Sequence, residues 1–224
     1  NVTEELERKV DYLQVRGTII CSEDNADAIQ SKLRGGNTSL TVVPSGYRYH
    51  EGDLEIDGAT LESLSGAKLF CTGTVVFGSG VEPPTIEQGL AGLRSLGLIV
   101  CPERLKDVVK ARLDMVEDRV IFYEGDLWSF DEDHTLHASR FDYSEGKATA
   151  LVTGDLEIEP DVASAVLAER FHAIHNLGTI RCSPEQMGAI EARLGIHEGD
   201  LQDSTPQEKE QETFDIGNAN ILAL

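Results

Sequence analysis

Gly97-Leu98-Ile99-Val100-Cys101-Pro102-Glu103-Arg104-Leu105, continuing to Ala111-Arg112-Leu113, recurs twice elsewhere in the chain. Gly17-Thr18-Ile19-Ile20-Cys21 leads to Ser31-Lys32-Leu33, and Gly178-Thr179-Ile180-Arg181-Cys182 leads to Ala192-Arg193-Leu194. The copies lie 80 and 81 residues apart, with 16 residues from Gly to Leu in each, so they align without a gap. Self-similarity at a fixed period is the signature of a repeat architecture.

Other short patterns repeat around this one. Glu51-Gly52-Asp53-Leu54, Glu124-Gly125-Asp126-Leu127 and Glu198-Gly199-Asp200-Leu201 match one another, and Thr72-Gly73-Thr74-Val75-Val76-Phe77 is echoed by Thr153-Gly154-Asp155-Leu156-Glu157-Ile158. Each is short, apolar at alternate positions and opened by glycine, which reads as a strand. Strand starts fall near 17, 39, 53, 73, 97, 119, 154 and 178. Between them, 23–33, 83–94 and 160–175 carry helical stripes: Ala26, Ile29, Leu33; Ile86, Leu90, Leu93; and Val162, Ala165, Val166, Phe171, Ile174. Pro102, Pro160 and Pro184 suit a first helical turn, and Ser183-Pro184-Glu185-Gln186 fits a capping box. A strand and a helix in alternation imply parallel strands, because a helical crossover separates them.

Leu93 to Cys101 and Ile174 to Cys182 resemble the leucine-rich-repeat pattern of Leu at one, four and six with Cys at nine, Thr179 taking the sixth place in the second copy. Leu13 to Cys21 keeps the first and last positions only, and the Leu expected two after the Cys is Glu103 or Pro184 here. The resemblance implies a curved binding scaffold and carries over no catalytic residue. The expected fold is α/β: a right-handed βα solenoid, a leucine-rich-repeat-like horseshoe of about 8–9 parallel strands with helices on its outer face. Residues 1–16 read as an N-terminal capping helix, 17–203 as a solenoid of two and a half 80-residue repeats, and 204–224 as an acidic linker with a C-terminal capping strand.

Charge narrows the partners. Forty acids against 19 bases leave a net charge of −21, which repels phosphate backbones and anionic membrane surfaces and favours a basic protein partner. No apolar run is long enough to span a bilayer, and the acidic N-terminus has no apolar core of a signal peptide. If the copies stack strand upon strand, Cys21, Cys101 and Cys182 lie roughly 14–19 Å apart, beyond the about 7 Å a disulfide allows. They read as free thiols filling the core, which favours a reducing compartment, the cytoplasm.

Candidates for chemistry are few. His134-Thr135-Leu136-His137 follows three acids but matches neither a zincin nor an EF-hand, so no metal and no cofactor is expected. His172 and His175, three apart, share a face if their segment is helical. Tyr47, Tyr49, Tyr123, Trp128, Phe130 and Tyr143, with Phe141, crowd the Gly-Asp-Leu strands: a binding surface if insertions present them on one face, internal packing otherwise. No nucleophile triad, phosphate loop or dinucleotide fingerprint occurs. The leading expectation is a non-enzymatic protein-binding repeat scaffold. The alternatives are a parallel β-helix enzyme acting on polysaccharide, with Asp53, Asp126 or Asp155 as acid and base, and a self-assembling module or homodimer joined through exposed strand edges.

Overall fold

The computed structural model of the protein describes residues 5, 8–114 and 119–204, and the chain divides into two compact units, Asn1–Glu124 and Gly125–Leu224. The first unit opens with β1 (Gly17–Ser22), α1 (Glu23–Lys32) and β2 (Thr38–Val43), whose strands form a parallel pair. Leu13 bridges Leu33 beside it. A larger stack follows: β3 (Tyr47–His50), β4 (Leu54–Ile56), α2 (Gly58–Leu64), β5 (Ala67–Cys71), β6 (Val75–Phe77), α3 (Pro83–Gly89), β7 (Leu90–Ser95), β8 (Ile99–Pro102), α4 (Lys106–Lys110) and β9 (Val120–Tyr123). One sheet has the order β3-β5-β7 and the other β4-β6-β8-β9, and every pairing is parallel.

The second unit repeats this plan. Its elements are β10 (Asp126–Phe130), β11 (His134–Leu136), a 3-10 segment Ala138–Tyr143, β12 (Ala148–Val152), β13 (Asp155–Ile158), α5 (Ser164–Arg170), β14 (Phe171–Asn176), β15 (Thr179–Cys182), α6 (Pro184–Glu191), β16 (Leu194–His197) and β17 (Asp200–Asp203). The sheets are β10-β12-β14-β16 and β11-β13-β15-β17. Each turn of chain lays a strand in one sheet, rounds a corner, lays a strand in the second, and in most turns returns through a helical segment. Inward side chains from the three sides fill one core per stack. Ile56, Phe77, Ile86, Leu90, Leu93, Ile99 and Leu105 are fully buried in the first; Phe130, Leu167, Phe171, Ile180 and Ile190 anchor the second.

This overturns the horseshoe. There is no single sheet of eight or nine strands; the strands fall into five sheets of two to four. Two physical causes misled the sequence reading. The first is a bulge. Residues 83–94 and 160–175 read as single helices because apolar residues recur three and four apart. In the structure each helix ends at Gly89 or Arg170 and the chain extends into β7 or β14. An extra residue, Ala91 or His172, sits in the register where Ala67 opposes Leu90 but Lys68 opposes Gly92, and Ala148 opposes Phe171 but Thr149 opposes Ala173. With one residue bulged, Leu90 and Leu93, and likewise Phe171 and Ile174, all reach the core though three apart, a spacing that imitates a helix.

The second cause is the meaning of the 80-residue period. Gly17 begins β1, whereas Gly97 and Gly178 precede β8 and β15, and these three strands lie in three different sheets. At Pro44-Ser45-Gly46 and Glu124-Gly125 no helix intervenes between strands, and β3 and β10 pair with β5 and β12. One 80-residue stretch is therefore a complete stack of four turns, not a rise along one continuous ladder. The residues that line a common ridge recur after one turn. Gly52, Gly73 and Gly97 follow one another up one corner, and Gly154, Gly178 and Gly199 up the other. A Cβ on Gly97 would lie 2.6 Å from the carbonyl carbon and oxygen of Gly73, and one on Gly178 would overlap the Gly154 carbonyl.

Several local readings are met. Ser183 caps α6 through a full capping box with Gln186, and Pro184 occupies its first turn. Gln186 also donates to the carbonyls of Glu159 (2.8 Å) and Val162 (2.7 Å), tying α6 to the preceding turn. The stretch from Trp128 to Gly146, where no helical stripe was expected, carries the end of β10, β11 and a 3-10 segment. Of the expected capping helix over residues 1–16, residues 5, 8 and 9 are helical while Leu13 is in its bridge; residues 1–4, 6 and 7, and residues 205–224 of the expected linker and capping strand, lie outside the described residues.

Candidate functional site

The β3-β5-β7 sheet of the first unit presents a mixed aromatic and ionic outer face. Its register aligns Tyr47, Lys68 and Gly92 in one row and Tyr49, Phe70 and Arg94 in the next but one. The ammonium of Lys68 stands 5.3 Å from the Tyr47 ring centroid and 3.6 Å from Asp114 Oδ2. The Tyr47 hydroxyl donates to the same carboxylate oxygen. Gly92 makes this possible, because a Cβ there would lie 2.6 Å from Asp114 Oδ2. Arg94 covers the Phe70 ring at 5.7 Å, leaving Phe70 buried, while Tyr49 is 41% exposed. An exposed ion pair of this kind adds about 0–1 kcal/mol to stability. Its consequence is that Tyr47 and Lys68 are held in place at the surface.

The sequence-derived aromatic set divides accordingly. Tyr47 and Tyr49 lie on this face and Tyr143 is 92% exposed in the second unit. Tyr123, Trp128 and Phe130 are buried. Tyr123 donates its hydroxyl to the Phe77 carbonyl (3.2 Å). Trp128 packs against Phe141 and, edge-on, against Phe171, with the Arg140 guanidinium 4.4 Å over its ring. Phe130 is roofed by Arg140 and touched by the edge of His134. For these three the packing reading holds, and they offer no contact surface. Lys68, Arg94 and Asp114 escaped the sequence reading. The signal was present at the true period of one turn, since Tyr47 to Lys68 and Tyr49 to Phe70 are each one turn apart.

Of the three carboxylates offered for acid–base work, Asp53 and Asp155 are engaged as hydrogen-bond acceptors within the stacks. Asp53 Oδ1 accepts the Thr74 N–H at 2.6 Å, and Asp155 Oδ2 accepts two bonds from Arg181, each 3.1 Å. Asp126 and Asp200 are exposed. His134 lies 3.6 Å from Asp131, and among the described residues no group of three or more His, Cys, Asp and Glu is placed to hold a metal ion. A groove of about 350 Å³ between α2 and α3, lined by Leu61, Glu62, Ser65, Thr85, Gln88 and Gly89, brings together one carboxylate and neutral polar groups. The four cysteines are free. Burial pushes the Cys101 thiol up to about 12 and Cys182 to about 11, so both are inert at neutral pH.

His172 and His175 do not share a face. His172 is exposed at the bulge, whereas His175 is 9% exposed. His175 Nδ1 accepts the Ile196 N–H at 3.1 Å, so the ring proton is on Nε2, which is buried without a partner. Burial lowers the His175 pKa below its ordinary value. Below about 6.5 the unfolded chain takes up a proton that the folded one resists. Stability contributed by neutral His175 is thus complete above that pH and declines as pH falls towards the folded value. Urea midpoints at pH 7.5 and 5.5 are expected to drop for the wild type and to drop measurably less for His175→Gln.

No family model matches the chain, and no curated protein or solved structure matches it.

Proposed function

We propose that the protein is a non-enzymatic scaffold that holds a protein partner, and that the outer face of the β3-β5-β7 sheet is its contact surface. The observation that supports this reading is the ordered Tyr47–Lys68–Asp114 group with exposed Tyr49 beside it. Tyr is among the residues that carry most of the energy at protein interfaces. Side chains already held by neighbours lose less freedom on docking. A flat sheet face suits a macromolecule better than a small substrate, which needs a concavity. The net charge of −21 draws a basic partner from a distance.

A photoreactive phenylalanine analogue placed at position 49 tests it. In source lysate it is expected to yield a discrete protein adduct whose amount falls at least tenfold when Tyr47→Ala is added. The same analogue at position 143 serves as the control. An adduct at 49 no stronger than at 143, or one indifferent to Tyr47→Ala, rejects this face as the contact surface.

A further inference from the structure

The outer face of the β3-β5-β7 sheet holds a charge that the chain itself leaves unpaired. Arg104 and Arg181 form ion pairs with Glu82 and Asp155, and Arg48, Arg112, Arg170 and Arg193 donate to main-chain carbonyls. Arg94 does neither: among the described residues it makes no hydrogen bond and no ion pair. Its guanidinium lies 5.7 Å from the Phe70 ring centroid instead. Acids outnumber bases 40 to 19, so carboxylates are not scarce. The bridge Leu93–Leu113 even sets Asp114 beside Arg94 in the register. Yet Asp114 Oδ2 leans over Gly92, where it accepts the Tyr47 hydroxyl and lies 3.6 Å from Lys68 Nζ.

The row Tyr49–Phe70–Arg94 crosses three neighbouring strands. Tyr49 at one end is exposed, Phe70 in the middle is buried, and Arg94 at the other end is half-buried. Two residues beyond Arg94, Leu96 is 53% exposed. A partner that covers Tyr49 and Leu96 therefore covers Arg94 as well. A guanidinium covered without an acceptor is an uncompensated charge and weakens the complex. Asp114 is already committed, so the acceptor has to come from the partner. The ring of Phe70 supports the guanidinium. Its planar fork of N–H donors matches a carboxylate through two parallel bonds.

We propose that the contact segment of the protein partner carries an aspartate or glutamate whose carboxylate pairs bidentate with Arg94, beside Tyr49. This rests on the reading of the β3-β5-β7 face as the contact surface. The partner's charge then works at two ranges. Basic overall, it is attracted by the field of a chain at −21, while one acid at the point of contact fixes its register on the sheet.

Random peptides displayed on phage and selected on the full chain supply the probe. Binders at least tenfold weaker on Tyr49→Ala are kept as ligands of this face. They are expected to share an Asp or Glu whose change to Asn or Gln raises Kd at least tenfold. Arg94→Gln is expected to cost a similar factor, and nothing further once the peptide acid is gone, as a direct pair requires. Arg94→Lys keeps the charge without the fork and is expected to stay at least threefold weaker than the wild type. Arg140→Gln removes the same charge from the second unit, where the guanidinium lies over buried Trp128, and is expected to leave Kd unchanged. The pairing is overturned, with the face kept as contact surface, by ligands that need no acid, by losses from peptide acid and Arg94→Gln that add in full, by full affinity in Arg94→Lys, or by an equal loss in Arg140→Gln. If no ligand depends on Tyr49, the face itself is rejected and the pairing with it.

Discussion

Gly97→Ala is expected to destabilise the first unit by about 3–5 kcal/mol, one of the largest effects a single methyl group can have. Gly97 stands at the corner between β7 and β8, where successive turns of backbone stack directly. A Cβ would lie 2.6 Å from both the carbonyl carbon and oxygen of Gly73 and 2.8 Å from the Thr74 nitrogen. All three are main-chain atoms, so no flexible side chain can yield. The Gly97 N–H also donates to Ser95 Oγ at 3.2 Å, and that hydroxyl donates to Gly73 O at 2.6 Å, so spreading the corner breaks a further bond. Gly36→Ala is the control, since nothing lies within 4 Å of a Cβ there and no positive φ is needed; its effect should stay within about 0.5 kcal/mol. Amide exchange of β6 and β8, measured against urea, reads both. Equal exchange in the two variants would mean that the corner relaxes freely.

Phe171→Ala is expected to cost the second unit about 3–5 kcal/mol. Phe171 is 2% exposed and packs edge-on to Trp128 at 5.5 Å and to Phe141 at 5.9 Å. Truncation opens a cavity at the centre of the only aromatic cluster described in that unit, where the bulge at His172 fixes the backbone and limits collapse. The chain has a single tryptophan, Trp128, so its fluorescence reports the second unit without contribution from the first. A urea midpoint unchanged in Phe171→Ala would show that Trp128 is not held as described.

The candidate face was half legible. Tyr47 and Tyr49 stood out in the sequence, but Trp128, Phe130 and Tyr123 stood out for the same reason, and aromatic content alone does not distinguish a face from a core. What separates them is position on the pleat. Phe130 points inward beneath Arg140, while Tyr49 shares its row with Arg94 on the outer side. Asp114 was invisible because it reaches Tyr47 only through the register of three strands and the vacant Cβ of Gly92.

From the sequence alone came the recurrence of 80 residues, the glycines that open the strands, the parallel sense of the strands, the capped start of α6 and the cysteines as unpaired thiols. These are local or periodic properties: the need for a residue without Cβ at a corner and the missing N–H of a proline are written at single positions. Which strands share a sheet was decided only by tertiary structure. A one-residue bulge lets Leu90 and Leu93 enter a core from a strand at a helical spacing, and the absence of a helix at residues 44–46 and 124–125 starts a new stack instead of extending the old one. Neither changes the pattern of apolar residues along the chain, because both act through which backbone groups find each other across some twenty residues.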